Sequence, residues 1–277
     1  VVAGSGDDIL TGDSSDNILT AGRGDDELSG GAGDDTLDGG TGTDTAVFSD
    51  ATSTLTIDLM AGSAKSAQTG KDSLSGIENA TGGSGDDILI GDGESNILAG
   101  GAGDDTLDGG VGDDVLDGGK GDDTFKVSDG QDIIMAGGGT DVLEINADYT
   151  IGNVLLNEQT GDLVFNLTKA DESTHTVTVQ NYADSPVSVL RTFSNETDFT
   201  DYSLQVDYDS ASDTYTASTD SPTLVIGTAG SETLQGGSKN DRLVGNDGND
   251  ILDGGAGDDI LDGGAGDDVY RVSDGKD

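Results

Sequence analysis

The sequence predicts an all-β protein made of parallel β-roll blocks, in which short strands coil around a narrow core, with a small β domain interposed. Three observations lead to this prediction: a nine-residue repeat, one apolar side chain at a fixed place in each repeat, and a large excess of acidic residues. A constant short period is typical of repeat architectures, because each unit buries its apolar face only by stacking on its neighbours.

The repeat has the form Gly-Gly-x-Gly-x-Asp-x-apolar-x and keeps its spacing within three runs. Its first six positions predict a turn, where glycine allows positive φ and close backbone approach. Its last three positions predict a strand whose position-eight side chain points inward, because alternate residues face opposite sides of a strand. Two repeats would complete one coil, so turns of alternate repeats would stack on the same edge. The position-eight residues are Leu10, Leu19, Leu28, Leu37, Ala46, Leu89, Leu98, Leu107, Leu116, Phe125, Ile134, Leu143, Leu234, Leu243, Leu252, Leu261 and Tyr270.

The three runs and the segments between them predict five parts of the chain. Residues 48–81 break the spacing but still alternate like a strand at Leu55–Leu59, which predicts connecting solenoid strands without metal sites. Residues 145–226 contain both prolines and the only histidine, and their alternating segments are separated by turn residues such as those at 209–213, which predicts a small β domain of hairpins. The predicted parts are block 1 at 1–47, the connection at 48–81, block 2 at 82–144, the small β domain at 145–226 and block 3 at 227–277.

The charge of the chain limits the classes of partner that it can bind. It carries 56 acidic and 11 basic residues, for a formal charge of −45, so it repels itself when no cation is bound and excludes nucleic acid as a partner. A disordered acidic tail would have no reason to keep leucine at position eight. Cysteine is absent, so no disulfide stabilises the fold. A bound metal is therefore the expected source of additional stability.

Two further features concern the setting of the chain. No apolar stretch is long enough to cross a bilayer, so no membrane insertion is expected. The chain lacks an initiator Met and a signal peptide, and the stretch Gly119–Asp132 returns as Gly264–Asp277, which together predict a piece of a larger protein with a tandem module.

The position-six side chains are the candidate metal ligands. They recur at the turn edge, where side chains from stacked turns would converge, and they offer only oxygen. Carboxylate oxygens combined with backbone carbonyls suit calcium rather than zinc or copper. The predicted side-chain ligands are Asp8, Asn17, Asp26, Asp35, Asp44, Asp87, Asn96, Asp105, Asp114, Asp123, Asp132, Asp141, Asp241, Asp250, Asp259 and Asp268.

The motifs GGAGDDTLD at Gly30 and Gly100, GGVGDDVLD at Gly109 and GGAGDDILD at Gly254 resemble the RTX (repeats-in-toxin) β-roll of exported bacterial proteins. The resemblance implies that position-six carboxylates one coil apart share a calcium ion and that carbonyls of the glycine turn complete its shell. It implies about a dozen calcium ions for these runs. The predicted carbonyl ligands are those of Gly31, Gly33, Gly101, Gly103, Gly110, Gly112, Gly255 and Gly257.

Several repeats depart from the pattern at the ends of the runs. Asn17 and Asn96 replace the position-six Asp, and Glu232 does so at the start of the third run. Lys239 replaces a position-four glycine, and the valines at 127 and 272 replace opening glycines. These ends are therefore expected to bind calcium weakly or not at all.

The resemblance also implies a function. RTX rolls stay unfolded in the low-calcium producing cell and fold outside it after export by the type I secretion machinery. We therefore expect a calcium-binding structural module, without catalytic activity, that is secreted, extracellular or on the bacterial cell surface. The tandem module favours an adhesin or surface protein as the parent.

Two alternatives stay open. The chain could be the accessory C-terminal RTX region of a secreted hydrolase, toxin or alginate epimerase, or the small β domain could bind a surface or carbohydrate ligand. A catalytic site is not indicated, because His175 lies in a Thr-rich segment and the sequence has neither cysteine nor a Gly-x-Ser-x-Gly motif.

Overall fold

A computed structural model describes the chain except for residues 158, 181–186, 194–198, 207–213, 218–220, 273–274 and 276. All regular elements within the described ranges are β-strands, and no helix there could cross a membrane. The predicted turn at 209–213 lies outside the described residues. The chain forms two compact units, Val1–Asp141 and Val142–Asp277.

The first unit contains fifteen short strands. They are β1 (Ile9–Thr11), β2 (Ile18–Arg23), β3 (Glu27–Ser29), β4 (Thr36–Thr41), β5 (Thr45–Val47), β6 (Leu55–Asp58), β7 (Ser63–Ser66), β8 (Gly70–Ser75), β9 (Asn79–Thr81), β10 (Ile88–Ile90), β11 (Ile97–Ala102), β12 (Thr106–Asp108), β13 (Val115–Lys120), β14 (Thr124–Lys126) and β15 (Gln131–Met135).

These strands alternate between two sheets as the chain coils. One sheet has the order β1-β3-β5-β9-β11-β13-β15, and the other has the order β2-β4-β8-β7-β6-β10-β12-β14. The repeat strands pair in parallel with matching positions aligned, so that Leu10 pairs with Leu28 and Leu98 pairs with Leu116. This register confirms the predicted parallel β-roll, in which two nonapeptides make one coil.

The position-eight residues form the core of the first unit. Every one from Leu10 to Ile134 is buried, and most, including Leu19, Leu37 and Phe125, are fully buried. The two flanking residues of each strand are more exposed, as in the burial pattern of β1, because alternate side chains face outward. One apolar side chain per repeat therefore fills the narrow interior, and fully burying each leucine contributes about 1.5 to 3 kcal/mol.

The connection at 48–81 departs from the prediction of continued solenoid strands. Its outer strands do pair in parallel with repeat strands, β8 with β4 and β6 with β10. Between them, β7 pairs antiparallel with both β6 and β8. The three strands β6, β7 and β8 therefore lie between β4 and β10, where the repeat pattern predicts a single strand. In the other sheet β5 pairs directly with β9. The short turns between β6, β7 and β8 reverse the chain within one sheet, and such reversals give antiparallel pairing.

The second unit contains the remaining strands. They are β16 (Asp141–Ile145), which begins at the unit boundary, β17 (Tyr149–Asn157), β18 (Asp162–Lys169), β19 (Thr174–Val179), β20 (Val187–Phe193), β21 (Phe199–Val206), β22 (Thr214–Thr216), β23 (Thr223–Ile226), β24 (Thr233–Gln235), β25 (Arg242–Val244), β26 (Ile251–Asp253), β27 (Ile260–Asp262) and β28 (Val269–Arg271).

Hairpins and coils both occur in the second unit. Strands β17, β18 and β19 form an antiparallel meander, and β20 and β21 form a hairpin. Two parallel stacks follow, β21-β23-β25-β27 and β22-β24-β26-β28. The strands β22 and β23 lie within the predicted small β domain yet pair in parallel with repeat strands, so the coil begins before the first recognisable repeat.

The core of this coil continues the pattern with other side chains. Tyr215 and Val225 occupy the inward places in β22 and β23 and pack in one cluster with Leu234, Leu243 and Leu252. Leu261 is only partly buried, and Tyr270 in β28 is 51% exposed. The strand β28 is an edge strand in the described structure, which explains the exposure of Tyr270.

Candidate metal centres

Most of the predicted side-chain ligands are buried. Asp26, Asp105 and Asp123 are at most 1% exposed, and nearly all of the other position-six aspartates are similarly enclosed. Asp8, Asn17 and Asp268 are only partly buried. A carboxylate is almost never fully buried without a partner, because removing its charge from water is costly. A row of buried carboxylates of one sign therefore needs a cation.

The position-six residues of neighbouring coils are joined directly. Within the runs, the backbone N–H of most position-six residues donates a hydrogen bond to Oδ1 of the residue eighteen positions later, at 2.7 Å from Asp8 to Asp26 and 2.8 Å from Asp26 to Asp44. On the other edge of the roll Asp105 donates in the same way to Asp123 at 2.9 Å. Within the runs the side chains thus form a ladder on each edge of the roll.

The second carboxylate oxygen, Oδ2, lacks a hydrogen-bond partner in many of these residues. The following Oδ2 atoms are buried and have no hydrogen-bond partner among the described residues: those of Asp26, Asp35, Asp44, Asp72, Asp105, Asp114, Asp123, Asp141, Asp250 and Asp259. A buried charged oxygen without a partner is strongly unfavourable, whereas calcium takes six to eight oxygen ligands from carboxylates and carbonyls. The orphaned oxygens therefore fit a calcium ion.

Backbone carbonyls would have to complete the coordination. Within the described parts of the chain no three or more carboxylate, imidazole or thiol side chains converge on one point. The predicted carbonyl donors all lie at positive φ, for example 92° at Gly31 and 122° at Gly33. A Cβ at Gly31 would collide with the carbonyl oxygen of Asp13 in the preceding coil. The close stacking of turn carbonyls is therefore possible only with glycine.

The electrostatics show the same need for positive charge. Burial raises the pKa of Asp105 and Asp123 to about 7, and the nearby carboxylates add to the shift. Burial likewise raises the pKa of Asp132 and Asp250 to about 6. Both causes disfavour the charged form. A divalent cation beside these groups would reverse the balance and keep them ionised.

The first position-six aspartates of the second and third runs, Asp87 and Asp241, have a different environment. The Oδ2 atom of Asp87 accepts a hydrogen bond from Gly83 N at 2.8 Å, and that of Asp241 accepts one from Gly237 N at 2.6 Å. The residues one coil earlier are Leu55, which faces Asp87, and Thr223, which faces Asp241, and neither has a carboxylate. These oxygens are thus satisfied within their own turns.

The substituted positions behave in the same way. The Oδ1 atoms of Asn17 and Asn96 accept hydrogen bonds from backbone N–H groups of their own turns, at 2.7 and 2.8 Å. Glu232 accepts one from the hydroxyl of Thr228 at 2.6 Å. Weak calcium binding at these ends stays a prediction, and the internal hydrogen bonds supply a physical reason for it.

Two residues that sequence reasoning did not select join the ladders. Asp72 Oδ1 accepts from Asp35 N at 2.9 Å, and Glu78 Oε2 accepts from Asp44 N at 2.8 Å. The stretch Gly70–Leu74 keeps the glycine, aspartate and leucine of repeat positions four, six and eight, which is a signal that could have identified Asp72. Glu78 lies between Gly76 and Ala80, which take repeat positions four and eight, so the same signal could have identified it.

The second unit also contains a cavity beside its hairpins. Its volume is about 190 Å³, and its lining includes Tyr149, Tyr202, Asn146, Thr192 and Arg242. Nearby, Arg191 pairs with Glu144 and Asp201 at 2.7 Å each, which ties β16, β20 and β21 together. These groups form ordinary ion pairs and do not extend the ladders.

Comparisons with known proteins agree with the geometry. A family model described as the RTX calcium-binding nonapeptide repeat matches residues 1–28, 11–46, 72–107, 81–116, 108–143, 226–261 and 245–277. No curated protein matches the chain. Among solved structures, the extracellular lipase LipA from Serratia marcescens is similar at 18% identity and a TM-score of 0.21, with 68% of this chain aligned to 29% of that chain. Because the family model matches more than half of its residues, the chain belongs to the RTX calcium-binding nonapeptide repeat family.

Proposed function

We propose that this chain is a structural module of a large exported bacterial protein and that it folds when it meets extracellular calcium after type I secretion. The proposed ligands are the position-six side chains and turn carbonyls predicted from the sequence. The observation that carries the proposal is the pair of buried carboxylate ladders with unpartnered Oδ2 atoms. Without cations these ladders oppose the folded state, and with calcium they hold successive coils together.

The number of repeated sites makes the response to calcium steep. A ligand that binds only the folded state stabilises it by about 1.4 to 2.7 kcal/mol per site at ten to a hundred times its Kd. Each site joins two coils, and a coil is stable only when it is stacked on its neighbours. Calcium binding and coil stacking should therefore occur together as a cooperative transition.

A titration of calcium into metal-free chain, followed by far-ultraviolet circular dichroism, tests this proposal. We expect a cooperative gain of β signal with calcium and none with magnesium, which demands a near-ideal octahedral shell. Full β structure in excess chelator would contradict the folding switch.

The parent protein is proposed to be an adhesin or a surface protein, on the basis of the recurring segment at 119–132 and 264–277. The alternative parent is a secreted hydrolase, toxin or alginate epimerase in which this chain is an accessory region. The roll itself is a structural calcium-binding fold, and we propose no catalytic activity for it. A catalytic motif elsewhere in the same open reading frame would show that the parent protein is a secreted enzyme or toxin.

A second candidate function is supported by the cavity in the second unit. Tyrosine rings combined with amide, hydroxyl and guanidinium groups are the side chains that bind sugars, which stack on aromatic faces and exchange hydrogen bonds. Calorimetry with monosaccharides, including uronic acids, would test it, with Tyr202→Ala as the variant expected to lose binding. Equal heats of binding for the variant and the original chain would exclude the cavity as the sugar-binding site.

A further inference from the structure

We infer that Asp72, which lies outside the nonapeptide runs, forms an additional calcium site together with Asp35 at the border of the three-stranded insertion β6–β8. The inference rests on the proposed function and adds a site to it. Sequence reasoning assigned residues 48–81 no metal site. Asp72 lies in β8, which pairs in parallel with β4 of the first run, Leu74 opposite Leu37.

The turn before β8 attaches to the roll as a repeat turn does. Asp35 N donates to Asp72 Oδ1 at 2.9 Å, as position-six residues do throughout the ladders. Lys71 N donates to Asp34 Oδ1 at 2.9 Å, which is the bond that position-five residues make in the runs, for example Thr43 N to Asp25 Oδ1. The insertion therefore delivers Asp72 to a ladder position although 37 residues, rather than eighteen, separate it from Asp35.

Both carboxylates at this border have a free oxygen. Asp35 is 2% exposed and Asp72 is 1% exposed, and neither Oδ2 atom has a hydrogen-bond partner within the described structure. The corresponding turn N–H, that of Gln68, donates to Ser66 Oγ at 3.1 Å and so does not serve Asp72. Asp72 thus resembles the mid-run aspartates and differs from the run-starting residue Asp87, whose Oδ2 is satisfied by its own turn.

The opposite border of the insertion lacks these features. There β6 places Leu55 in the ladder position facing Asp87, and Leu55 N donates to Asp87 Oδ1 at 2.8 Å. Leucine offers no ligand oxygen, so only one carboxylate is present. The insertion therefore gains a site on the side of the first run and has none on the side of the second.

The charge at the border needs compensation. Asp35 and Asp72 bring two buried carboxylates of the same sign to this border, and removing such charges from water is costly when they have no partner. The neighbouring Lys71 is exposed to solvent. A calcium ion shared by Asp35 and Asp72 would neutralise the buried pair and fix the insertion to the first run.

The test counts calcium ions bound to the full chain. Asp72→Asn keeps the volume and the Oδ1 acceptor for Asp35 N, so it removes only the charge and one ligand oxygen. We expect native mass spectrometry to show one ion fewer than in the original chain at saturating calcium. Asp50→Asn is the matched control, because it removes one exposed charge from the same connection, residues 48–81, and it should retain the full number.

The outcomes separate this inference from the proposed function. Equal ion counts for Asp72→Asn and the original chain would overturn the inference, whereas a chain that binds no calcium at all would overturn the proposed function as well. If Asp72→Asn does not fold, Asp72→Glu replaces it, since it keeps the charge but lengthens the side chain. That variant should release one ion at a calcium concentration at which the original chain retains all, and identical release would overturn the inference.

Discussion

The repeat coils of the first unit and the hairpins of the second unit are held together by different forces. In the coils, buried carboxylates of one sign line both edges and several of their oxygens have no partner among the described residues. In the hairpins, the charged groups pair with opposite charges, as Arg191 does with Glu144 and Asp201. The interior of β17–β19 is a conventional apolar face that includes Val154, Phe165 and Val177.

Under the proposed function, this difference means that one chain combines metal-dependent and metal-independent order. A coil buries one apolar side chain per nine residues and carries like charges at its edges, so we expect a cation to stabilise its folded state. The antiparallel meander buries alternate residues on longer strands, as β18 does, and contains no ladder carboxylate. Withdrawal of calcium should therefore act on the two regions to different degrees.

Calcium removal is expected to have the largest effect. Hydrogen exchange in chelator should show loss of amide protection throughout β1–β5 and β9–β14, because the uncompensated ladders no longer hold the coils. The amides of β17–β19 should keep more of their protection, since no ladder carboxylate lies within them. Uniform loss of protection in both regions would show that the hairpins depend on calcium as well.

A change of pH without calcium is expected to have the next largest effect. The folded-state pKa of Asp105 and Asp123 is raised to about 7 from 3.8, so the folded coil binds protons more tightly than the unfolded chain. Stability without calcium is therefore highest below the unfolded pKa and falls as pH rises towards about 7, at about 1.4 kcal/mol for each unit of pKa shift.

This pH effect has the opposite sign when calcium is present. Protons compete with the metal for the carboxylates, so calcium affinity should fall as pH falls. Circular dichroism in chelator and calcium titrations, each at about pH 5.5 and about pH 8, measure both effects. A β signal in chelator that is unchanged between these two conditions would contradict the assignment of raised pKa values to the ladder.

Replacement of one mid-run ligand is expected to have an intermediate effect. Asp123 belongs to two successive ladder steps, with Asp105 and with Asp141. Asp123→Asn should weaken two calcium sites and raise the calcium midpoint for folding. Asp122→Asn removes the same charge from an exposed side chain of the same turn and retains an acceptor for Thr140 N, so its midpoint should change less. Equal shifts of the calcium midpoint in the two variants would show that the effect comes from net charge and not from the loss of a ligand.

Loss of an ion pair in the hairpins is expected to have the smallest effect. Asp201→Asn removes one of the two charged partners of Arg191, and the side chains of Asp201 and Arg191 are 40% and 26% exposed. Exposed pairs contribute about 0 to 1 kcal/mol, so the denaturation midpoint should fall slightly. The calcium midpoint should not move. A shift of the calcium midpoint as large as that of Asp123→Asn would remove the distinction between the two regions.

Much of the fold followed from the repeat alone. The family and the parallel β-roll were predicted correctly, because glycine, aspartate and leucine recur at fixed places that a coil of two nonapeptides explains. The ligand set stays a prediction, although the buried, unpartnered oxygens of residues such as Asp105 and Asp123 support it. The strands of the meander were also recognisable from their alternation, for example at 162–167, within β18.

Three features were not predictable from local patterns. The antiparallel centre of the insertion depends on how β7 pairs with β6 and β8, and this pairing has no repeat signal. The early start of the second coil depends on Tyr215 and Val225 stacking on leucines of later repeats. The choice of Asp35 as the partner of Asp72 depends on the strand pairing, because their spacing lies outside the period, although Gly70 and Leu74 mark Asp72 itself in the sequence.

The sequence by itself determined the coil, the inward leucines and the acidic edges, because these depend on residue types repeated at one short spacing. Only the tertiary structure decided which carboxylates face a second carboxylate and which use their own turn, as Asp72 and Asp87 show. The physical reason is that a ligand pair is made by neighbours in space. Within a run the period fixes these neighbours, and across an insertion the strand pairing alone fixes them.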